Sequence, residues 1–267
     1  MISLLKSTIN LYLKHFWLYL KIISPLLIPV AVLPIIGHYA SLGRLSIVFS
    51  TLFGVILMII GLFIEVIMIS ASYQLITTTD AATQISLKQK WQEAGHKFFS
   101  YLYLKILTAI IVLSLPLIVK SFQNYLPNYI FNPLRAIALA WIALFTLLFL
   151  FSAYVLIIEN QQVIPSIKKG KELFLQRSLS IILKLTGGLL CFGAMLIVIS
   201  IITDIIIAVI LKQTYILFNP YLSPWWQKLT GSVCALLGMP LIIILTTYLF
   251  YESKTSDRTG DTRPTKN

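Results

Sequence analysis

Residues 134–158, LRAIALAWIALFTLLFLFSAYVLII, carry a single charge, Arg135, and show no alternation of apolar and polar side chains. The stretch is longer than the roughly 20 residues that carry a helix across a bilayer core. In hydrocarbon every backbone N–H and C=O must be satisfied within the protein, which leaves a helix or a closed barrel. Barrel strands alternate lipid-facing and lumen-facing side chains over about ten positions, and this stretch does not. It reads as a transmembrane helix.

Similar stretches repeat on both sides of it, at 18–40, 46–76, 101–121, 180–211 and 229–251. The composition agrees: 58% of the 267 residues are hydrophobic and 11% are charged, with a mean hydropathy of +0.89. A soluble domain carries roughly 25% charged residues to dress its surface. The expected fold is therefore an all-α integral membrane protein with six transmembrane helices. The expected domain organisation is a six-span membrane domain over 1–252 and a disordered polar tail over 253–267, SKTSDRTGDTRPTKN, which has no large apolar side chain to bury. The first apolar stretch follows some 20 residues bearing Lys6, Lys14 and Lys21, with no small-residue cleavage site after it, so it reads as a retained span and not as a signal peptide.

The basic residues are distributed unevenly over the two faces. Of the 21 Lys and Arg residues, only Arg44, Lys120, Arg135, Lys212 and Lys228 fall on the side opposite the chain ends. Basic loops stay in the cytoplasm, so both termini are expected there. The opposite side offers Tyr125, Tyr129, Tyr215, Tyr221, Trp225 and Trp226 as headgroup-level anchors. Turns are expected at Gly37 and Gly43, at Pro127 and Pro133, and at Pro220 and Pro224. The net charge of +12 is explained by this asymmetry, and no nucleic-acid partner is expected.

Each inner basic segment has helical periodicity. Ile2, Leu5, Ile9, Tyr12 and Phe16 share one face of 2–17. Leu87, Trp91, Ala94 and Phe98 share one face of 85–99, and Val163, Ile167, Gly170 and Phe174 share one face of 163–178. Apolar stripes beside lysines predict helices lying on the membrane surface. The joins to the following spans are similar: LYLKI at 18–22, LYLKI at 102–106 and IILKL at 181–185. This suggests a threefold architecture of surface helix, outward span and return span. Lys88, Lys90, Lys168, Lys169, Lys171 and Arg177 on these segments are the candidate contacts to anionic headgroups.

No catalytic constellation is present. The sequence lacks G-x-S-x-G, a phosphate loop, H-E-x-x-H and C-x-x-C. His15, His38 and His96 are scattered, and Cys191 and Cys234 sit inside apolar runs, where they read as small buried hydrophobes. Neither enzyme activity, a metal nor a cofactor is expected. Glu65, in GLFIEVIMIS, is the most pointed residue, because an ionised side chain near mid-membrane costs roughly 2.5 kcal/mol or more. It is either a proton, ion or headgroup site or a neutral carboxyl that helps helices pack. As a site, Glu65→Gln would abolish activity and leave folding intact. Asp204 lies 20 residues after Lys184, about 30 Å of helix, and is expected at the opposite headgroup level. Gly54 and Gly61, and Gly231 and Gly238, are each seven apart and are expected to admit close helix contacts. Pro25, Pro29, Pro34, Pro116 and Pro240 are expected to kink their spans.

The segment IENQQVIPSIKKGKELFLQRSLSIILKL at 158–185 carries a resemblance. A return span ending in Glu159, a short break and a basic amphipathic helix leading into the next span resemble the YciC-type inner-membrane proteins and the six-span membrane domain attached to some glycerophosphoryl diester phosphodiesterases. Members often carry a Ser where Gly170 stands here, ahead of an acidic-Leu pair matched by Glu172 and Leu173. The resemblance implies an inner-membrane role in envelope or lipid homeostasis, without the phosphodiesterase activity of the separate soluble domain. The expected partners are membrane lipids, with other membrane proteins or a second copy of the chain as alternatives. A small permease built around Glu65 is the competing expectation.

Overall fold

The computed structural model describes residues 1–39, 43–78, 85–123, 125, 127–211 and 225–260. Among them the chain forms nine helices and no strand: α1 (Ile2–Lys14), α2 (Phe16–Tyr39), α3 (Gly43–Thr77), α4 (Leu87–Ser121), α5 (Asn128–Leu148), α6 (Ser152–Glu159), α7 (Val163–Gln176), α8 (Ser178–Leu211) and α9 (Trp225–Gly260). Five stretches are long and apolar enough to cross a membrane: Thr51–Thr77, Leu87–Ser121, Tyr129–Glu159, Ser178–Ile210 and Trp226–Thr255. A sixth is reached if α1 and the start of α2, bent by 74° at His15, count together. The all-helical multi-pass architecture is as the apolar runs require. The expected turn at Pro220 and Pro224 and the anchors Tyr215 and Tyr221 lie outside the described residues.

The threefold pattern is not confirmed, because the three joins differ. The first and third joins break at His15 and Arg177, whose backbone angles leave the helical region. The second does not break, and 85–99 is the first part of the 35-residue α4. Ser86 caps α4 by accepting the Gln89 N–H. The apolar face of this segment is spent on protein: Trp91 and Phe98 pack their rings 5.2 and 5.5 Å from Phe63 of α3, and Ala94 is buried. At about 52 Å, α4 is far longer than a 30 Å bilayer core, and its basic half stands clear of it.

The last helix also outruns expectation. It continues to Gly260, so 253–260 is helical, with Ser253 buried and Lys254 engaged in an ion pair. Residues 261–267 lie outside the described residues. Trp226, expected as a headgroup anchor, is 2% exposed and forms part of the packing, whereas Tyr125 and Tyr129 stand open. Of the two cysteines, Cys191 is exposed on the apolar surface of α8 and Cys234 is half-buried.

The core is concentrated at one end. In α3 the buried side chains run from Ile64 to Ser72, in α6 from Ser152 to Ile157, and in α9 they cluster between Leu236 and Ser253. Toward the other end, Leu52, Ile56, Ile110, Leu113, Leu117, Val198, Ile206 and Val209 are exposed on the surface that would face lipid. The helix α9 packs against α1, α2, α3, α7 and α8. It is the hub to which the rest is attached, while α4 and α5 form a hairpin that joins the core through α3, α6 and α7. Within that hairpin, in the turn before Pro116, the Ile111 carbonyl accepts from both Ser114 and the Trp141 indole.

Candidate functional site

The chain brings its ionic side chains together at the packed end. Asn160 takes a left-handed conformation (φ 52°) just after Glu159 and ends α6, a position where Asn is tolerated and most residues are not. The chain then turns back as α7, with Pro165 in its first turn, where a missing N–H costs nothing. This hairpin is tight because Gly170 lies directly on the Ser152 backbone; a Cβ there would sit 2.6 Å from the Ser152 nitrogen.

The turn places Glu159, 10% exposed, between two lysines. Lys169 of α7 approaches it to 2.6 Å, and Lys254 of α9 to 2.9 Å. Glu252 of α9 is held by Lys184 through both oxygens, at 2.6 and 2.8 Å, with Arg177 at 3.9 Å. Lys90 donates to Glu93 at 2.8 Å and to Ser70 at 3.0 Å. Lys97 donates to the Ile157 carbonyl at 2.6 Å, where a cation meets the negative end of the α6 dipole. Between α3, α4 and α6 lies an open polar cavity of about 500 Å³, lined by Ser70, Gln74, Lys90, Glu93, His96, Lys97 and Asn160 among others.

Deeper in, Glu65 is not alone. Lys105 of α4 donates to it at 2.9 Å, with side chains 37% and 24% exposed for the Lys and Glu respectively. The Lys105 ammonium also lies 5.1 Å from the centre of the Tyr101 ring. The Tyr101 hydroxyl is buried within electrostatic reach of Glu65 but completes no well-formed hydrogen bond. The buried Tyr154 of α6 is also near and is hydrogen-bonded to Thr246 of α9. Together α3, α4, α6 and α9 contribute one polar cluster inside an otherwise apolar core. Nearby, Tyr19 and Ser72 join α2 to α3 through a 3.0 Å hydrogen bond.

The other expected site residues separate into groups. Lys90, Lys169 and Arg177 are engaged in ion pairs, whereas Lys88, Lys168 and Lys171 are exposed and make no ion pair among the described residues. Asp204, expected at the opposite headgroup level, is 8% exposed and lies against Thr230 and Cys234 of α9. It belongs to the α8–α9 contact. Of the glycines, only Gly238 makes the expected close approach, to Leu196 of α8; Gly54, Gly61 and Gly231 have nothing within 4 Å of where a Cβ would stand. A seven-residue spacing fixes a common face but not which face meets a neighbour. The close contacts at Gly170 and at Gly188, which packs on Leu245, have no such spacing to announce them.

No group of three or more His, Cys, Asp or Glu among the described residues is arranged to hold a metal. In comparisons with known proteins, the chain matches no protein family, no curated protein and no solved structure.

Proposed function

We propose that the chain is a non-enzymatic, multi-pass inner-membrane protein of envelope or lipid homeostasis that binds anionic headgroups through the outer face of α7. The observation that supports this is the two-sidedness of that helix. Ser166, Gly170, Leu173 and Phe174 are buried on one side. On the opposite side, Ile164, Lys168, Lys171 and Leu175 follow one another at helical spacing and are all exposed. The two lysines lack ion-pair partners among the described residues, and Ile164 and Leu175 flank them at 71% and 51% exposure. Lysines flanked by exposed apolar side chains suit a membrane surface, where the stems lie in the acyl boundary and the ammonium groups meet phosphate.

The basic end is assigned to the cytoplasm by the excess of Lys and Arg in the segments that converge there. Reporter fusions after residues 162 and 260 are expected to report cytoplasmic placement, and a fusion after 128 the opposite face. A fusion at 162 and one at 260 on different sides would refute this layout.

The lipid reading is tested with the purified full chain in detergent, by thermal stabilisation on adding phosphatidylglycerol or phosphatidylcholine. Each lysine at an anionic surface contributes about 1 kcal/mol, so Lys168→Gln/Lys171→Gln is expected to weaken phosphatidylglycerol binding by roughly 30-fold. Equal stabilisation of the wild type by the two lipids would remove the proposal. A permease centred on Glu65 has less support, because Lys105 already neutralises the carboxylate.

A further inference from the structure

At the end opposite the basic surface, α4 and α5 part to leave a cleft of about 320 Å³. Pro116, Leu139 and Ile142 form an apolar wall, and Lys120, Gln123 and Arg135 stand at the polar rim. Lys120 and Arg135 make no ion pair with any described residue, in contrast to the lysines around Glu65, Glu93, Glu159 and Glu252.

Depth gives this cleft its meaning. Lys105 and Lys120 bound the charge-free run 106–119 on α4, and 15 helical steps separate them by about 22 Å. With their stems extended in opposite directions, two lysines so spaced reach the two headgroup layers that border a core of about 30 Å. Arg135 occupies the matching position on α5, at the start of the charge-free run 136–158. Two cations and an amide thus sit at phosphate level, above a slot lined by hydrocarbon.

We propose that this cleft holds one anionic phospholipid of the leaflet opposite the basic end. Its phosphate lies between Lys120 and Arg135, and an acyl chain runs along Pro116, Leu139 and Ile142. Charge complementarity selects this occupant. A second copy of the chain offers no matching acid among the described residues, since Asp204, the one acidic side chain toward this end, is buried against α9. A free inorganic anion would leave the apolar wall unused. The site is separate from the α7 surface and does not depend on it.

The experiment is native mass spectrometry of the full chain carrying Lys168→Gln/Lys171→Gln, so that α7 does not contribute. Phosphatidylglycerol, phosphatidylcholine of the same acyl chains and inorganic phosphate are the probes. One phosphatidylglycerol is expected to stay bound, in preference to phosphatidylcholine. Lys120→Gln/Arg135→Gln is expected to weaken it by roughly 30-fold, and Lys120→Arg to retain it. Leu139, 59% exposed, provides a variant that touches neither cation, should the double substitution fail to fold. Leu139→Trp fills the apolar wall and is expected to release the lipid. Undiminished phosphatidylglycerol binding in the double variant, equal binding of phosphatidylcholine, or phosphate capture that survives Leu139→Trp would each overturn the proposal.

Discussion

Gly170→Ala is expected to destabilise the protein by about 3 kcal/mol, the upper end for inserting a methyl group into a filled site. The added carbon would lie 2.6, 2.7 and 2.8 Å from the nitrogen, Cα and Oγ of Ser152. Two of those atoms are backbone, so no rotamer change relieves the clash. Ser152 is fully buried and opens α6, directly after the break that ends α5 at Leu148. Relief therefore requires α7 to lift away from α6. That movement carries Lys169 away from Glu159 and exposes Leu173 and Phe174. Gly95→Ala is the control. Gly95 lies inside α4 with nothing within 4 Å of a new Cβ, and alanine is the better helix former by up to about 1 kcal/mol. Thermal melting in detergent should place the two variants on opposite sides of wild type. Coincident melting of Gly170→Ala and wild type would show that α6 and α7 are not in contact as described.

Lys105→Met is the second large effect. It leaves the Glu65 carboxylate, 24% exposed, without its partner, and stranding one charge of a largely buried pair costs about 3 kcal/mol. Glu65→Gln is expected to cost less, because Lys105 is the more exposed member and its stem can carry the ammonium toward water. The double variant Glu65→Gln/Lys105→Met has no charge left to strand and should recover most of the loss. A coupling of about 1.5 kcal/mol or more between the two sites is expected from the cycle. Additive single effects would show that the two side chains do not meet. The same double variant tests the permease reading, for it restores stability while deleting the carboxylate. Solute flux in proteoliposomes that disappears in a stable double variant would return Glu65 to a mechanism.

Much of the architecture can be read from the chain because a bilayer leaves the backbone few choices. A run such as 134–158 has to be a helix wherever it finally packs. Neighbour relations are harder to read, since a leucine facing lipid and a leucine facing protein have the same chemistry. Residues 85–99 show the limit. Their apolar stripe is real, but periodicity does not say whether Trp91 and Phe98 meet acyl chains or Phe63. Glu65 looked solitary because its partner lies 40 positions away. Its i±3 and i±4 neighbours are apolar, and only the fold brings Lys105 to it. Glu159 and Glu252 stand at span ends, and only the fold shows that they tie α7, α8 and α9 together. The spacing of Gly231 and Gly238 was informative for the second residue alone, because Gly238 faces Leu196 of α8 whereas Gly231 has nothing within 4 Å of an added Cβ.

The central position of α9 has a consequence for biosynthesis. The ribosome makes this helix after the other eight, so α1, α2, α3, α7 and α8 enter the lipid before the element they all pack on exists. Until it emerges, Lys184 has no Glu252 to hold, and Glu159 has Lys169 but not Lys254. The earlier hairpins must wait in the bilayer as separate inserted pieces. Nascent chains stalled before residue 225 should therefore be protease-sensitive at the α6–α7 turn, and protection should appear only once α9 has cleared the translocation machinery.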